Sequence, residues 1–349
     1  MNRKDQSVRG LFEDSQAANV KAICFFNNKG GVGKTTLVAN LAAELGLNHG
    51  KKVLVIDADP QCNLTQYVLS DEKFIHTYSL PDPQSIYSVV HPLSTGKGYR
   101  TNLPIQHVAE FGFDVIIGDP RLALKEDLLA QDWRDAKAGG IRGLRTTLVF
   151  HNVIEQAKNY EYIFFDMGPS LGAINRAILL AVDFFLVPMS IDIFSSWALK
   201  NIGEAVKVWE RDLAFGMKNS EDPSELPKVN KKNLQFLGYV TQQHKERRKE
   251  GNSRIVEAYE EISKKLPGVV QKNLSSFYPS NLRPNLGEIK HLASLAPKSQ
   301  TLHQPMVNVT AKGSYTVTRA QAREIYRSLA IRFIENVAFF ERLMLKGAK

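Results

Sequence analysis

The stretch NNKGGVGKTTLVAN, residues 27–40, decides how the rest of the chain is interpreted. Its Gly33-Lys34-Thr35 completes the phosphate-binding pattern G-x-x-x-x-G-K-[ST], although the position of the first glycine is taken by Asn28. The apolar run KAICFF precedes the stretch, and leucines at helical spacing follow the loop. A strand, a glycine loop and a helix in this order favour a nucleotide site over a plain glycine turn.

A loop of this kind binds phosphate with its backbone. N–H groups that lead into a helix N-terminus point toward an anion, and glycines let the chain turn around it. The pattern predicts that Lys34 reaches the β- and γ-phosphates, that the Thr35 hydroxyl binds Mg²⁺, and that Thr36 holds the α-phosphate. The predicted ATP-binding residues are Lys29, Gly30, Gly31, Val32, Gly33, Lys34, Thr35 and Thr36.

Four further apolar runs predict buried strands, namely KKVLVIDAD (51–59), YEYIFFDMGPS (160–170), VDFFLVPMS (182–190) and LQFLGYVTQQ (234–243). Helical patterns lie between them, near residues 34–47, 142–158, 174–181 and 194–209. This alternation predicts an α/β fold, a doubly wound and mostly parallel sheet flanked by helices, as in P-loop NTPases. Ligands of such sheets bind at the carboxyl ends of the strands, where Lys34, Asp59 and Asp166 fall.

The chain also divides into expected regions. Residues 1–20 are expected to form an N-terminal extension and residues 21–300 the ATPase domain. Within it, residues 70–104 are rich in turn-forming side chains, which predicts an insertion with one short helix near Ser85–His91. Residues 301–349 are expected to be a C-terminal helical extension packed on the same domain.

The composition excludes several classes of protein. Hydrophobic residues make up 43% and charged residues 23%, as in a globular protein. No apolar run approaches the ~20 residues that span a bilayer, and MNRKDQSVRG is too polar for a secretory signal. Two cysteines make neither a disulfide framework nor a metal pattern. We therefore expect a cytoplasmic protein, whose net charge of +9 favours an anionic partner.

Three segments, NNKGGVGKTT, VIDADPQCN and IFFDMGPS, resemble the nucleotide motifs of the ParA/MinD/Soj family of deviant Walker A ATPases, in that family's order. The likeness continues more weakly through GYVTQQHKERR and EIKHLASLAPKSQT. The short ParA/Soj type fits best, because only about twenty residues precede the first strand. The resemblance implies a homodimer that encloses ATP, in which the family's signature lysine, here Lys29, crosses to the partner's nucleotide.

The resemblance also implies roles for the acidic residues. Asp59 is expected near the attacking water, which it orients, while it reaches Mg²⁺ through another water. Asp57 is expected to be more buried and to support that loop, and Asp166 is expected to act as the Walker B aspartate beside Mg²⁺. The predicted catalytic set is thus Lys29, Lys34 and Asp59, and the predicted metal set is Thr35, Asp59 and Asp166.

Two further assignments follow from the family. Adenine is expected near Gln242 and Gln243, for which plain loop glutamines are an even alternative. Family members that segregate DNA bind it without sequence preference and respond to a stimulating adaptor protein. The matching basic residues here are Lys245, Arg247, Arg248, Lys249, Arg254 and Lys290, and the alternative for this segment is a solvated helix start. The resemblance therefore implies an ATP-driven dimer switch with slow, partner-stimulated hydrolysis and association with the nucleoid.

Other functions stay open at this point. The C-terminal helix carries an apolar stripe, Ile325, Leu329, Phe333, Val337 and Phe340, which suits either packing on the sheet or a MinD-like membrane anchor. A subunit of a larger defence or transport complex is a further alternative. Related iron–sulfur reductases are disfavoured, because the chain has no cysteine after Cys62 to hold a cluster.

Overall fold

The computed structural model describes residues 20–227, 229, 233–242, 253–292, 294–310 and 315–347. Within them, a single sheet has the strand order β3-β4-β2-β5-β1-β6-β7-β8. The strands are β1 (Lys21–Phe25), β2 (Val53–Asp57), β3 (Gln106–Val108), β4 (Phe113–Ile116), β5 (Tyr162–Asp166), β6 (Phe184–Ser190), β7 (Gln235–Gln242) and β8 (Asn285–Ile289). The predicted fold class is therefore confirmed.

The register of the central strands positions the site. β1 pairs in parallel with β5 on one side and with β6 on the other, with Phe25 opposite Asp166. β2 also pairs in parallel with β5, and this pairing sets Asp57 opposite Asp166. Because parallel strands end at the same edge, the loops after β1, β2 and β5 meet there. Only the edge strand β3 is antiparallel to its neighbour β4 among the described strands.

Helices cover both faces of the sheet. They are α1 (Lys34–His49), α2 (Asn63–Val68), α3 (Asp71–Tyr78), α4 (Ile86–Ser94), α5 (Glu126–Ala138), α6 (Ile141–Thr147), α7 (Val149–Gln156), α8 (Ala173–Ala181), α9 (Ile193–Lys218), α10 (Ser253–Leu274), α11 (Leu295–Thr301) and α12 (Tyr315–Gly347). α1 and α12 pack in the core on one face. α7, α8, α9 and α10 pack in the core on the other.

The apolar stripe of α12 lies inside the protein. Phe333 is fully buried, and its ring centroid lies 5.2 Å from that of Tyr162 and 5.4 Å from that of Phe164. On the same helix, the Asn336 amide donates a hydrogen bond of 2.8 Å to the Leu237 carbonyl in β7. Because the apolar stripe of α12 packs against the sheet, it no longer supports a membrane anchor. None of the described helices combines the length and apolarity needed to cross a bilayer.

The structure corrects several element predictions. The segment near 142–158 is two helices, since Leu148 leaves helical geometry with ψ of 12°. The insertion holds two helices, α3 and α4, instead of one. Strands β3, β4 and β8 and helices α2, α5, α10 and α11 were not predicted. Polar residues interrupt β3, β4 and β8, and α5 buries few apolar side chains. These segments therefore lack the regular spacing of apolar residues by which strands and helices are predicted.

Candidate nucleotide site

The glycines of the loop after β1 hold conformations that other residues resist. Gly31 and Gly33 have φ of 72° and 68°, in the left-handed region. A side chain at Gly33 would also collide with Gln242, whose Nε2 donates a hydrogen bond of 3.1 Å to the Gly33 carbonyl. The loop then enters α1 at Lys34. Backbone N–H groups at this helix start are thereby available to an anion.

Lys34 lies within the loop that precedes it. Its side chain is buried, and Nζ donates to the carbonyls of Asn27 at 3.2 Å and Lys29 at 3.3 Å. Burial lowers the pKa of Lys34, while the charges of Asp166 and Asp59 oppose that shift. A cation held by carbonyls at the centre of such a loop is suited to bind phosphate oxygens.

Asp57 and Asp59 follow β2 and differ in environment. Asp57 is fully buried, as expected, and accepts hydrogen bonds from the Thr65 backbone at 2.9 Å and the Thr65 hydroxyl at 2.6 Å. Burial raises the pKa of Asp57 to about 7. Asp59 lines the cavity described below, and its Oδ1 accepts from the Gln61 backbone at 3.0 Å. Asp57 therefore supports the loop, while Asp59 faces the space in which a ligand would lie.

Asp166 is buried, and the hydrogen-bonding capacity of its carboxylate is not satisfied. Within the described residues, neither of its oxygens has a hydrogen-bond partner. Burial and then the charge of Asp57 raise its pKa well above the usual range. The Thr35 hydroxyl, which is near the carboxylate but outside hydrogen-bond geometry, and the charge of Lys34 act in the opposite direction. Buried carboxylates normally have partners, so this arrangement suits a divalent cation.

The donors around Asp166 fit Mg²⁺ better than a metal held by protein alone. The described residues contain no cluster of three or more His, Cys, Asp or Glu that could hold an ion. Mg²⁺ is usually bound by one or two protein oxygens together with phosphate oxygens and water. Thr35, Asp59 and Asp166 lie at the same edge and match that requirement.

A cavity of about 480 Å³ adjoins the loop. Predicted residues line it, from Gly30 to Thr35 together with Asp59. Pro169, which lies in the recognised motif IFFDMGPS, also lines the cavity. The remaining lining residues were not predicted, namely Gln61, Asn63, Gln66, Tyr67 and Gln300. Of these, Gln61 and Asn63 stand inside the motif DADPQCN and could have been found from it, whereas Gln300 lies only in the weakly matching stretch EIKHLASLAPKSQT.

Tyr67 joins the cavity wall to the C-terminal region. Its hydroxyl accepts from the Asn40 amide at 3.0 Å and shares a hydrogen bond of 2.5 Å with the Ser299 hydroxyl. The Oδ1 of Asn40 in turn accepts from the Met306 backbone at 2.7 Å. This buried network links α1, which begins at the phosphate loop, to α11 and the segment after it.

Lys29 points to the end of β6 in its own chain. Its Nζ forms an ion pair with Asp192 and lies 3.4 Å from the Ser190 hydroxyl. The side chain is 36% exposed, unlike that of Lys34. Asp192 was not predicted, because 163 residues separate it from Lys29.

The loop after β5 is fixed from two sides. The Asn175 amide donates to the carbonyls of Gly168 at 2.8 Å and Ser170 at 2.7 Å. The Glu126 carboxylate, which belongs to α5, accepts from the backbone of Ala173 and from that of Ile174 at 3.2 Å. An acidic side chain at the first N–H groups of α8 stabilises the helix start and thereby anchors the loop.

The predicted DNA contacts are mostly outside the described residues. Lys245, Arg247, Arg248 and Lys249 lie there, as does the predicted adenine contact Gln243. Arg254 falls in the first turn of α10, where only the backbone is described. Lys290 is exposed directly after β8.

Comparison with known proteins supports the motif assignment. Residues 20–217 match the family described as AAA domain, AAA_31. A probable plasmid-partitioning protein ParA of Thermus thermophilus is 30% identical over 190 residues, which cover 54% of this chain and 51% of that protein. The chromosome partitioning protein ParA of Myxococcus xanthus is 28% identical over 208 residues, 58% of this chain and 64% of that protein. The chain thus spans about half to two thirds of the length of these curated relatives.

Solved structures extend the likeness beyond the matched segment. Protein DIP2308 of Corynebacterium diphtheriae superposes with a TM-score of 0.66 at 29% identity, covering 81% of this chain and 97% of that one. An ATP complex of McdA from Cyanothece has the same fold, with a TM-score of 0.60 at 15% identity over 90% of this chain and 96% of that one. With three nucleotide motifs at one sheet edge and more than half of the sequence matched, the chain belongs to the ParA/MinD/Soj family of P-loop ATPases.

Proposed function

We propose that the chain is a Mg²⁺-dependent ATPase that acts as an ATP-driven dimer switch in DNA partition or cargo positioning. The observation that carries this proposal is the buried, unsatisfied carboxylate of Asp166 beside the phosphate loop and Lys34. Burial without a partner makes this carboxyl costly to ionise, and Mg²⁺ bound together with phosphate would stabilise its charged form.

Each residue then has a defined task. The backbone from Gly30 to Thr36 binds the phosphates, and Lys34 neutralises the β- and γ-oxygens. Thr35 and Asp166 would hold Mg²⁺, which lowers the charge on the phosphates when bound. Asp59 faces the cavity and orients the attacking water by accepting its hydrogen bond. Asn175 keeps the loop after β5 in place, so that Gly168 and its neighbours can contact the γ-phosphate.

Lys29 supplies the switch. In the single chain it pairs with Asp192, and in the ATP-bound homodimer it would leave that carboxylate for the partner's γ-phosphate. Two such contacts related by symmetry close a dimer around two nucleotides. Hydrolysis removes the γ-phosphate, so Lys29 returns to Asp192 and the dimer opens.

The dimer would bind DNA without sequence preference, and an adaptor protein would stimulate turnover. The net charge of +9 and the exposed Lys290 support an anionic matrix. The curated relatives named above are partition proteins by name. We accordingly place the protein in the cytoplasm, on the nucleoid.

The variant Asp59→Ala tests the proposal. It should bind a non-hydrolysable ATP analogue with nearly unchanged affinity, lower turnover at least about a hundredfold, and accumulate as an ATP-bound dimer. Calorimetry, phosphate release and sedimentation measure the three effects. Asp127→Ala, at an exposed position of α5, is the matched control, and Lys34→Ala should abolish binding itself. Normal turnover in Asp59→Ala, or unchanged affinity in Lys34→Ala, would refute the site.

A further inference from the structure

A second recess lies on the insertion, apart from the nucleotide cavity. It has a volume of about 370 Å³ and is formed by α4 and the segment that follows it. The walls include Tyr87, Ser88, His91, Lys97, Tyr99 and Arg100. The insertion is fixed to the sheet at this point, because the Ile86 backbone donates 2.9 Å to the Ile117 carbonyl after β4. The recess is therefore a formed feature of the fold.

Arg100 is held in the wall by neutral groups alone. Its Nε donates to the Asn102 carbonyl at 2.5 Å, Nη1 to the Ser88 hydroxyl at 2.5 Å, and Nη2 to the Gln84 side-chain oxygen at 2.6 Å. A guanidinium has five N–H donors, so these bonds leave one on each terminal nitrogen. Both remaining donors can form charge-assisted hydrogen bonds with a carboxylate or phosphate. The side chain is thus oriented while its charge is not neutralised.

Further cations surround the recess. Lys97 is exposed in its wall, and the Nζ of Lys125 donates 3.1 Å to the Ser94 hydroxyl. Within the described part of the chain, neither lysine has an ion-pair partner at a carboxylate. Asp119 is paired with Arg121, which leaves Asp82 as the acidic residue in the wall. The balance of charge in and around the recess is therefore positive, which favours an anionic ligand.

The aromatic contacts argue against a nucleic acid as that ligand. The ring of Tyr87 stacks on His91, with centroids 4.9 Å apart and an angle of 13° between the planes. The Arg121 guanidinium lies 4.4 Å from the centroid of the same ring. The Tyr87 ring therefore already stacks on one side chain and contacts a cation, which makes it a poor platform for the base stacking by which single-stranded nucleic acids bind. A recess also suits an inserted side chain better than the convex backbone of a duplex.

We propose that this recess docks an acidic peptide segment of a protein partner, with a carboxylate bound by the remaining donors of Arg100 and by Lys97. The walls of Tyr99 and Pro92 would cover the aliphatic part of the inserted side chain. The assignment is independent of the ATPase proposal, because the recess and the nucleotide cavity share no lining residue.

The test uses the full chain and a fluorescein-labelled hexaglutamate peptide, followed by fluorescence anisotropy at low salt. The double variant Arg100→Gln/Lys97→Gln should weaken binding about tenfold, the loss expected for charge-assisted hydrogen bonds. Arg100→Lys keeps the charge but loses the paired donors, so it should lie between wild type and the double variant. Arg332→Gln/Lys272→Gln removes two exposed charges elsewhere and is the matched control.

The outcomes distinguish binding of the peptide at the recess from a general effect of surface charge. Loss in the double variant with no loss in the control supports the site, provided that both variants unfold at the wild-type temperature. Equal weakening in both variants would show that the peptide senses net charge only, and would overturn the proposal. The proposal would also be overturned if the double variant bound the peptide normally but lost affinity for a short duplex DNA.

Discussion

The two lysines of the phosphate loop carry the same charge but lie in different environments. Lys34 is buried and bonded to loop carbonyls, whereas Lys29 extends outward to Asp192. The ion pair with Asp192 is partly exposed on both sides, so it is weak enough to be exchanged for a phosphate contact. In the proposed switch, Lys29 would change partners while the contacts of Lys34 with the loop carbonyls stay in place.

The variant Lys29→Gln should separate binding from dimerisation. A single chain should bind the ATP analogue almost normally, because Lys34 and the backbone carry the phosphate contacts. Dimerisation with ATP and Mg²⁺ should be lost, and hydrolysis with it. Sedimentation velocity and phosphate release provide the measurement, with Lys52→Gln, at an exposed lysine, as the control. A normal dimer with normal turnover would mean that Lys29 has no role in the switch.

The companion variant Asp192→Asn tests the same exchange from the other side. It keeps Lys29 but weakens the ion pair within the chain. The ATP-bound dimer should then form at a lower protein concentration than in wild type, because less is lost when Lys29 leaves. A dimer weaker than wild type would contradict a competing role for Asp192 and indicate that it helps the closed state.

Site residues could be predicted where a motif names them. Lys34, Asp59 and Asp166 each end or follow an apolar strand, and the structure brings them to one edge. Asp192, Tyr67 and Gln300 could not be predicted, because their positions depend on how distant segments pack. Gln300 belongs to α11, which touches the cavity only through tertiary contacts such as that between Tyr67 and Ser299.

At the scale of elements, α7 and α8 are joined by a half-buried histidine. The Nε2 of His151 lies 2.9 Å from the Leu180 carbonyl, which can only accept, so Nε2 carries the proton. Burial lowers the pKa of His151 from 6.5 to about 4. The folded protein therefore favours the neutral imidazole, and the α7–α8 contact becomes sensitive to acid.

The variant His151→Gln should reduce that sensitivity. In wild type, the unfolded chain binds the proton more readily between pH 6.5 and about 4. The stability from this group is therefore complete above pH 6.5 and is lost as the pH falls toward 4, by at most about 3 kcal/mol. Glutamine can still donate to Leu180 but does not titrate. Urea unfolding at several pH values should show a shallower decline for the variant, and parallel declines would contradict the assignment.

Elements were predictable in proportion to their hydrophobic pattern. Strands β1, β2, β5 and β6 are continuous apolar runs that are buried throughout, as central parallel strands require. β4 and β8 carry Asp114 and Glu288 between apolar residues and lie nearer the sheet edges. Such short, mixed segments resemble loops in sequence and become strands through pairing.

For the whole molecule, α12 closes the face of the sheet that carries α1. Phe333→Ala should lower the free energy of unfolding by about 3–5 kcal/mol, because it removes a fully buried ring from between α12 and β5. Ile331→Ala on the exposed side of the same helix should cost less than about 1 kcal/mol. Equal losses in urea unfolding would mean that α12 contributes little to the core.

In the proposed function, the ATP-bound dimer as a whole binds DNA. ATP-loaded protein should bind duplex DNA of any sequence, with log affinity falling against log salt by about 0.9 per phosphate neutralised. Arg247→Glu/Arg248→Glu should weaken binding and flatten the salt dependence while ATP binding is kept. Electrophoretic mobility shifts over a salt series give the slope. Protein that ignores DNA at low salt when loaded with ATP would remove the support for a partition function.

The strand order also determines when the site can exist during synthesis. β1 is made first, but its sheet neighbours begin at Tyr162 and Phe184. At about 5–20 residues per second, the ribosome needs on the order of ten seconds to reach them. Until then the nascent chain contains the glycine loop without the strands that fix it, and it lacks Asp166 altogether. ATP can therefore act as a folding ligand only for nascent chains that already include β5 and β6.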